Sequence, residues 1–68
     1  MDAMDLLIKN LSRLIEKTGI SGNEICRRAF VNKNTVTAIM TKKSNPTIRV
    51  LMKIAKVLEV DFVDLFEQ

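Results

Sequence analysis

Residues 21–40 read SGNEICRRAFVNKNTVTAIM, and two short helical periods lie inside this stretch. Ile25, Cys26 and Ala29 share one face of a first helix, and Val36 and Ile39, with Val31 ahead of them, share one face of a second. Polar Asn32, Lys33, Asn34 and Thr37 fall between and outside those faces. Ser21 followed by Glu24 forms the S-x-x-E pattern of a capping box, which sets the first helix at 22–29. Asn32 is placed to cap the second, expected over 33–41. Two helices this short, joined by a turn of three or four residues, have the pattern of a helix-turn-helix.

The same periodicity continues on both sides. Leu7, Leu11, Leu14 and Ile15, with Ile8 at the edge, give one buried stripe for a helix over 4–18. Asp2 or Asp5 serves its N-terminus, and Gly19 stands where a left-handed residue ends it. Asn45-Pro46-Thr47 stops the chain and restarts it, because the residue before proline avoids the helical region. Thr47 then caps a fourth helix with a core stripe of Ile48, Leu51, Ile54, Ala55 and Leu58. Asp61 caps a short fifth helix carrying Phe62, Leu65 and Phe66, of which at least two close the core. No strand-length alternation, repeat or low-complexity tract interrupts this. The fold class expected is all-α, a compact five-helix domain spanning 1–68.

Sixty-eight residues leave no room for a deep substrate pocket beside a core. There is no histidine to serve as a general base and no His/Cys cluster for a metal. Asp61 and Asp64 are three apart, which capping explains better than acid–base work. No catalysis, metal, cofactor or small-molecule ligand is therefore expected. The single cysteine, Cys26, excludes an intramolecular disulfide and reads as a small buried hydrophobe. Met40 and Met52 read as core or rim filling. No apolar run of about 18 residues spans a membrane and no signal-peptide pattern opens the chain, so a soluble cytoplasmic protein is expected.

Net charge is +3, but its distribution says more. Residues 21–45 carry +4, with Arg27, Arg28, Lys33, Lys42 and Lys43 against Glu24. Residues 1–20 are neutral and residues 46–68 carry −1. Positive charge concentrated on the suspected helix-turn-helix suits a surface that neutralises phosphates. Arg28 is also spaced to pair with Glu24 at i, i+4.

The order and spacing of these signals resemble the lambda-repressor-like, Cro-type helix-turn-helix (Xre) family over nearly the whole chain. The likeness rests on Ile20-Ser21, Glu24-Ile25, Val31, Thr35-Val36, Ile39 and Asn45-Pro46-Thr47-Ile48, and on Val60 and Asp64-Leu65-Phe66. The string LMKIAKVL at 51–58 is similar to the family's LLKLAKAL segment. The resemblance implies a small transcriptional regulator, a repressor in the first instance, that binds double-stranded DNA sequence-specifically. Its recognition helix would lie in the major groove.

By position in the family, Asn32, Lys33, Asn34, Thr37 and Ala38 face base edges, with Asn32 alternatively occupied by capping. Asn34 suits a bidentate pair with adenine, Lys33 suits guanine, and Thr37 and Ala38 suit the thymine methyl. Phosphate contacts fall to Ser21 and the Gly22 and Asn23 amides, to Arg27, and to Thr41, Lys42 and Lys43 after the recognition helix.

Departures from the family pattern carry expectations of their own. Glycine is common at three helix ends where this chain has Phe30, Lys42 and Glu59. Either each takes a left-handed conformation at roughly 1 kcal/mol, or some of the turns shift; the reading favours shifted turns, with Phe30 repaid by packing on the core. Gly22 replaces a family glutamine that clamps a phosphate, so binding leans on Lys33, Lys42 and Lys43. The resemblance also implies a homodimer on a palindromic operator, joined through 60–66 by an exposed Val63 or Phe66. The rival reading is a protein-interaction module such as an antitoxin or antirepressor, although the chain has no tail after Gln68 to wrap a toxin.

Overall fold

The computed structural model describes residues 2–68. They form four α-helices: α1 (Ala3–Thr18), α2 (Gly22–Ala29), α3 (Thr35–Met40) and α4 (Ile48–Val57). A 3-10 segment, Phe62–Phe66, stands where a fifth α-helix was expected. Five residues are too few to repay α-helix nucleation, and i→i+3 bonding lets the chain turn tightly. Asp64 N–H donates to the Asp61 carbonyl at 2.9 Å. Asp61 stands at its N-cap as expected and shares a capping box with Asp64: the Asp61 side chain faces the Asp64 N–H, and the Asp64 carboxylate accepts the Asp61 N–H at 3.1 Å.

The caps of the other helices follow the sequence closely. Asp2, not Asp5, accepts the N-terminal amide of α1, from Asp5 at 2.9 Å. Thr47 accepts from Val50 at 3.1 Å to open α4. Ser21 accepts from Glu24 at 3.2 Å to open α2. Only this half of the expected capping box forms, because the Glu24 carboxylate turns away to Arg27 and Arg28.

The core is aliphatic. Leu7, Leu11, Ile25, Cys26, Ile39, Ile54 and Leu65 are its fully buried side chains. The 3-10 segment packs on α1 and α4, and α2 packs on α3 and α4. Two departures from the expected stripes follow from this arrangement. On α1, Leu6 and Asn10 are buried in addition to Leu7, Leu11 and Leu14, while Ile15 is half-buried, since the 3-10 segment packs on this helix. On α4, Ile48 is 65% exposed and lies outside the core stripe. As the first helical residue it sits on the same outer face as Met52, one turn later. Phe62 and Phe66 are half-buried against the core in edge-to-face contact, while Val63 is 64% exposed.

Helix ends depart from expectation most clearly. Gly19 (φ 72°) ends α1 with one bond, its N–H to the Ile15 carbonyl at 2.9 Å. Phe30, Lys42 and Glu59 also take left-handed backbones, at φ 58°, 60° and 59°. None of the three turns shifts. Each closes the paired bonding of a Schellman motif: Val31 N–H to Cys26 C=O at 3.1 Å, Lys43 to Ala38 at 2.9 Å, and Val60 to Ala55 at 3.0 Å. Two backbone bonds of about 0.5–1.5 kcal/mol each offset a left-handed penalty of about 1–2 kcal/mol. Val31 and Val60 add apolar packing on the core.

Phe30, however, is 90% exposed, so its ring returns nothing to the core. Replacing it with glycine is expected to raise stability by about 0.5–1 kcal/mol, the strain relieved less the extra chain entropy of glycine. Urea titration of Phe30→Gly checks this through a raised midpoint at unchanged slope.

Candidate nucleic-acid interface

The α2–α3 corner is set by close packing at its base. Cys26 is fully buried there, and Val36 is 3% exposed. Gly22, half-buried in the first turn of α2, faces Val36: a Cβ at position 22 would lie 3.2 Å from Val36 Cγ1. Glycine at this site therefore has a packing reason, the close approach of the N-terminus of α2 to α3. Ser21 and Asn23 on either side are exposed.

The turn into α3 differs from expectation in its boundary. Asn32 Oδ1 accepts the Asn34 N–H at 2.8 Å, and the Asn32 carbonyl accepts the Thr35 N–H at 2.9 Å. Asparagine side chains compete with the helix in this way. Helix α3 consequently begins at Thr35, with Asn34 at the N-cap position, and ends at Met40. Lys33 and Asn34 sit in the preceding turn, not in the helix, and Asn32 locks that turn instead of capping helix 33–41.

Asn32, Lys33, Asn34 and Thr37 are exposed and Ala38 is half-buried, while Val36 and Ile39 on the opposite side of α3 are buried. Thr41 follows, its hydroxyl donating to the Thr37 carbonyl at 2.8 Å. Of the five residues expected to meet bases, three therefore stand in the turn before α3 and two, Thr37 and Ala38, within it.

The cations divide into two groups. Lys33 and Lys43 are exposed and make no ion pair among the described residues. Arg27, also exposed, donates through Nε to Glu24 Oε1 at 3.2 Å. Arg28 reaches Glu24 Oε2 at 2.7 Å, as its spacing implied. Both guanidinium groups hold the Glu24 carboxyl below its ordinary range, and Glu24 in turn raises Arg27.

Lys42 has a partner that the sequence did not suggest: its ammonium meets Asp5 Oδ1 at 2.7 Å, across 37 residues of sequence. The hydrogen bond from Lys42 lowers the Asp5 carboxyl, and Asp5 raises Lys42. No periodic signal links α1 to the end of α3, so sequence reasoning missed this pair. Both partners are solvent-accessible, which leaves the pair open to competition from a phosphate. Asp5→Asn is expected to strengthen binding to duplex DNA about two- to fivefold at low salt and to steepen the salt dependence. Fluorescence anisotropy over a salt series checks it; unchanged affinity would place Lys42 away from the phosphates.

No group of three His, Cys, Asp or Glu side chains positioned for a metal occurs among the described residues. No helix there is long and apolar enough to cross a membrane. Comparison with curated proteins and with solved structures gives no match. A family model described as the Cro/C1-type HTH DNA-binding domain matches residues 10–68. That span takes in the α2–α3 corner, both bracketing lysines and the 3-10 segment, and so the chain belongs to the Cro/C1-type HTH DNA-binding domain family.

Proposed function

We propose that the chain is a sequence-specific regulator of transcription, a repressor, that sets α3 and the turn before it into the major groove of double-stranded DNA. One observation carries the reading: α3 buries Val36 and Ile39 and leaves Thr37 outward, while two unpaired lysines, Lys33 and Lys43, bracket it. A short rigid edge with free cations at both ends suits a groove flanked by phosphate strands.

In this reading Asn34 pairs with adenine and Lys33 with guanine. Thr37 and Ala38 touch thymine methyl groups, and Asn32 positions the turn. Lys43 and Thr41 hold one strand; Ser21, the Gly22 and Asn23 amides and Arg27 hold the other. Lys42 joins them only by leaving Asp5. Binding would occlude the promoter, in the cytoplasm, with no catalytic step.

One such edge covers too few base pairs to select a genomic site, so the proposal includes a homodimer on a palindromic operator. The exposed Val63 beside half-buried Phe66 supports the 3-10 segment as the contact. The domain's longest dimension is 29 Å, and half-sites one turn apart are separated by about 34 Å. Two copies therefore fit side by side on one face of the duplex.

Two variants test the division of labour. Lys43→Ala is expected to weaken binding to all sequences alike and to lower the salt slope by about one. Asn34→Ala is expected to relax preference at one base pair, by about 1–3 kcal/mol of discrimination. Equal losses on specific and random duplexes for Asn34→Ala would remove it from the reading set.

A further inference from the structure

Phe30 presents a puzzle that DNA binding does not absorb. It holds a left-handed backbone at φ 58° while its ring is 90% exposed. A strained, solvent-facing aromatic that contributes nothing to the core is the kind of local violation that marks a working surface. Its surroundings fit that idea. Phe30, Ala29 and Val57 line a groove between the end of α2 and α4, and Arg28, Lys53 and Lys56 complete its walls.

The groove continues along α4 through Lys53 and Lys56 to a second depression that adds Ile48, Arg49 and Met52. Positions 48, 49, 52, 53 and 56 repeat at one-turn spacing, so they form a single outer face of α4. Ile48 is 65% and Met52 57% exposed. Arg49, Lys53 and Lys56 have no ion-pair partner among the described residues, and no carboxylate lines either depression. This surface shares no residue with the twelve assigned to DNA.

We propose that this face docks an acidic amphipathic helix from another protein, with its apolar anchors on Phe30, Met52 and Ile48 and its carboxylates against Arg49, Lys53 and Lys56. Aliphatic and aromatic anchors at helical spacing, edged by one sign of charge, are what a helix-in-groove partner recognises. A second copy fits less well. Its own acidic segment at 59–67 exposes Val63 as its one large apolar side chain, and the Asp64 carboxylate is engaged by the Asp61 amide. Nucleic acid fits less well too: Phe30 is the one aromatic of the face, and Ile48 and Met52 offer no second flat surface on which successive bases could stack. A partner bound here would leave the α3 edge free, so it could act on the DNA-bound protein.

The test uses the full chain, uniformly labelled with nitrogen-15, titrated with a helical peptide carrying leucines at i, i+3, i+4 and i+7 and glutamates on the flanking positions. Amide shifts are expected at Phe30, Met52, Lys53 and Lys56, with the α3 edge unmoved. Phe30→Ala, which removes an exposed ring, is expected to weaken the peptide about tenfold. Lys53→Glu with Lys56→Glu is expected to abolish binding while the rest of the spectrum stays unchanged.

Several outcomes would overturn the proposal. One is the absence of shifts at millimolar peptide, and another is equal binding of a twin peptide with lysines in place of the glutamates. A third is concentration-dependent shifts on this face in the chain alone, which would assign it to a second copy. Shifts here on adding duplex DNA would assign it to nucleic acid.

Discussion

Asn10→Ala is expected to cost about 2–3 kcal/mol of folding stability. The Asn10 side chain is 4% exposed, the one buried polar group among the described residues. Its amide donates to the Leu65 carbonyl at 3.0 Å and to the Glu67 carbonyl at 2.8 Å. These two bonds tie the middle of α1 to the 3-10 segment across 55 and 57 residues of sequence. Alanine removes both donors at once. The Leu65 carbonyl, beside a fully buried side chain, is then left unpaired, while the Glu67 carbonyl can turn to water.

A chain of 68 residues has roughly 3–10 kcal/mol of stability in all, so the loss is a large share of the whole. Melting is expected to fall by about 15–20 °C. Asn10→Leu would restore apolar volume but not the donors, and is expected to be nearly as destabilising. Parallel urea and thermal unfolding of both variants checks the account. A loss below about 0.5 kcal/mol would mean that water replaces the amide without penalty.

The second large effect falls on binding. Thr37→Glu is expected to weaken binding to specific and random duplexes alike, by about 100-fold or two factors of ten at about 1.4 kcal/mol each. Thr37 lies on the outward side of α3, between the two free lysines, and its side chain makes no hydrogen bond. Only its carbonyl is engaged, by Thr41. Glutamate is a good helix former, so the fold is expected to survive. A carboxylate at the centre of the edge would then face phosphates and the acceptors of base edges. Anisotropy titration beside a circular-dichroism melt separates the two effects. Unchanged affinity with an intact fold would move the DNA-facing surface elsewhere.

What could be read from the sequence, and what could not, divides along physical lines. Local signals with a fixed spacing proved legible: Asp2, Ser21 and Thr47 as caps, Gly19 as the terminator of α1, and the buried pairs Ile25/Cys26 and Val36/Ile39. Boundaries set by competition were less so. The length of α3 turned on whether Asn32 would cap a helix or close a turn, and its bond to the Asn34 amide shortened the helix by two residues at its start.

The three left-handed helix ends are hidden in the sequence for a related reason. A residue-by-residue penalty argues against Phe30, Lys42 and Glu59 at positive φ. The paired Schellman bonds that outweigh the penalty become visible only once each helix is in place. Long-range pairs were illegible altogether. Neither Asn10 with Leu65 nor Asp5 with Lys42 leaves a periodic trace, although each joins elements far apart in sequence. The consequence for the interface is specific. In the proposed interface the free positive charge is that of Lys33 and Lys43, whereas Arg27 and Lys42 would first have to give up carboxylate partners.

Selection from a pool of randomised duplexes at fixed salt tests most directly whether the α3 edge reads DNA. Enrichment of an inverted repeat with half-sites about one helical turn apart is expected. Asn34→Ala is expected to relax one base pair in each half. A final pool no different from the starting one, or an enriched motif that Asn34, Lys33 and Thr37 variants all leave unchanged, would contradict it.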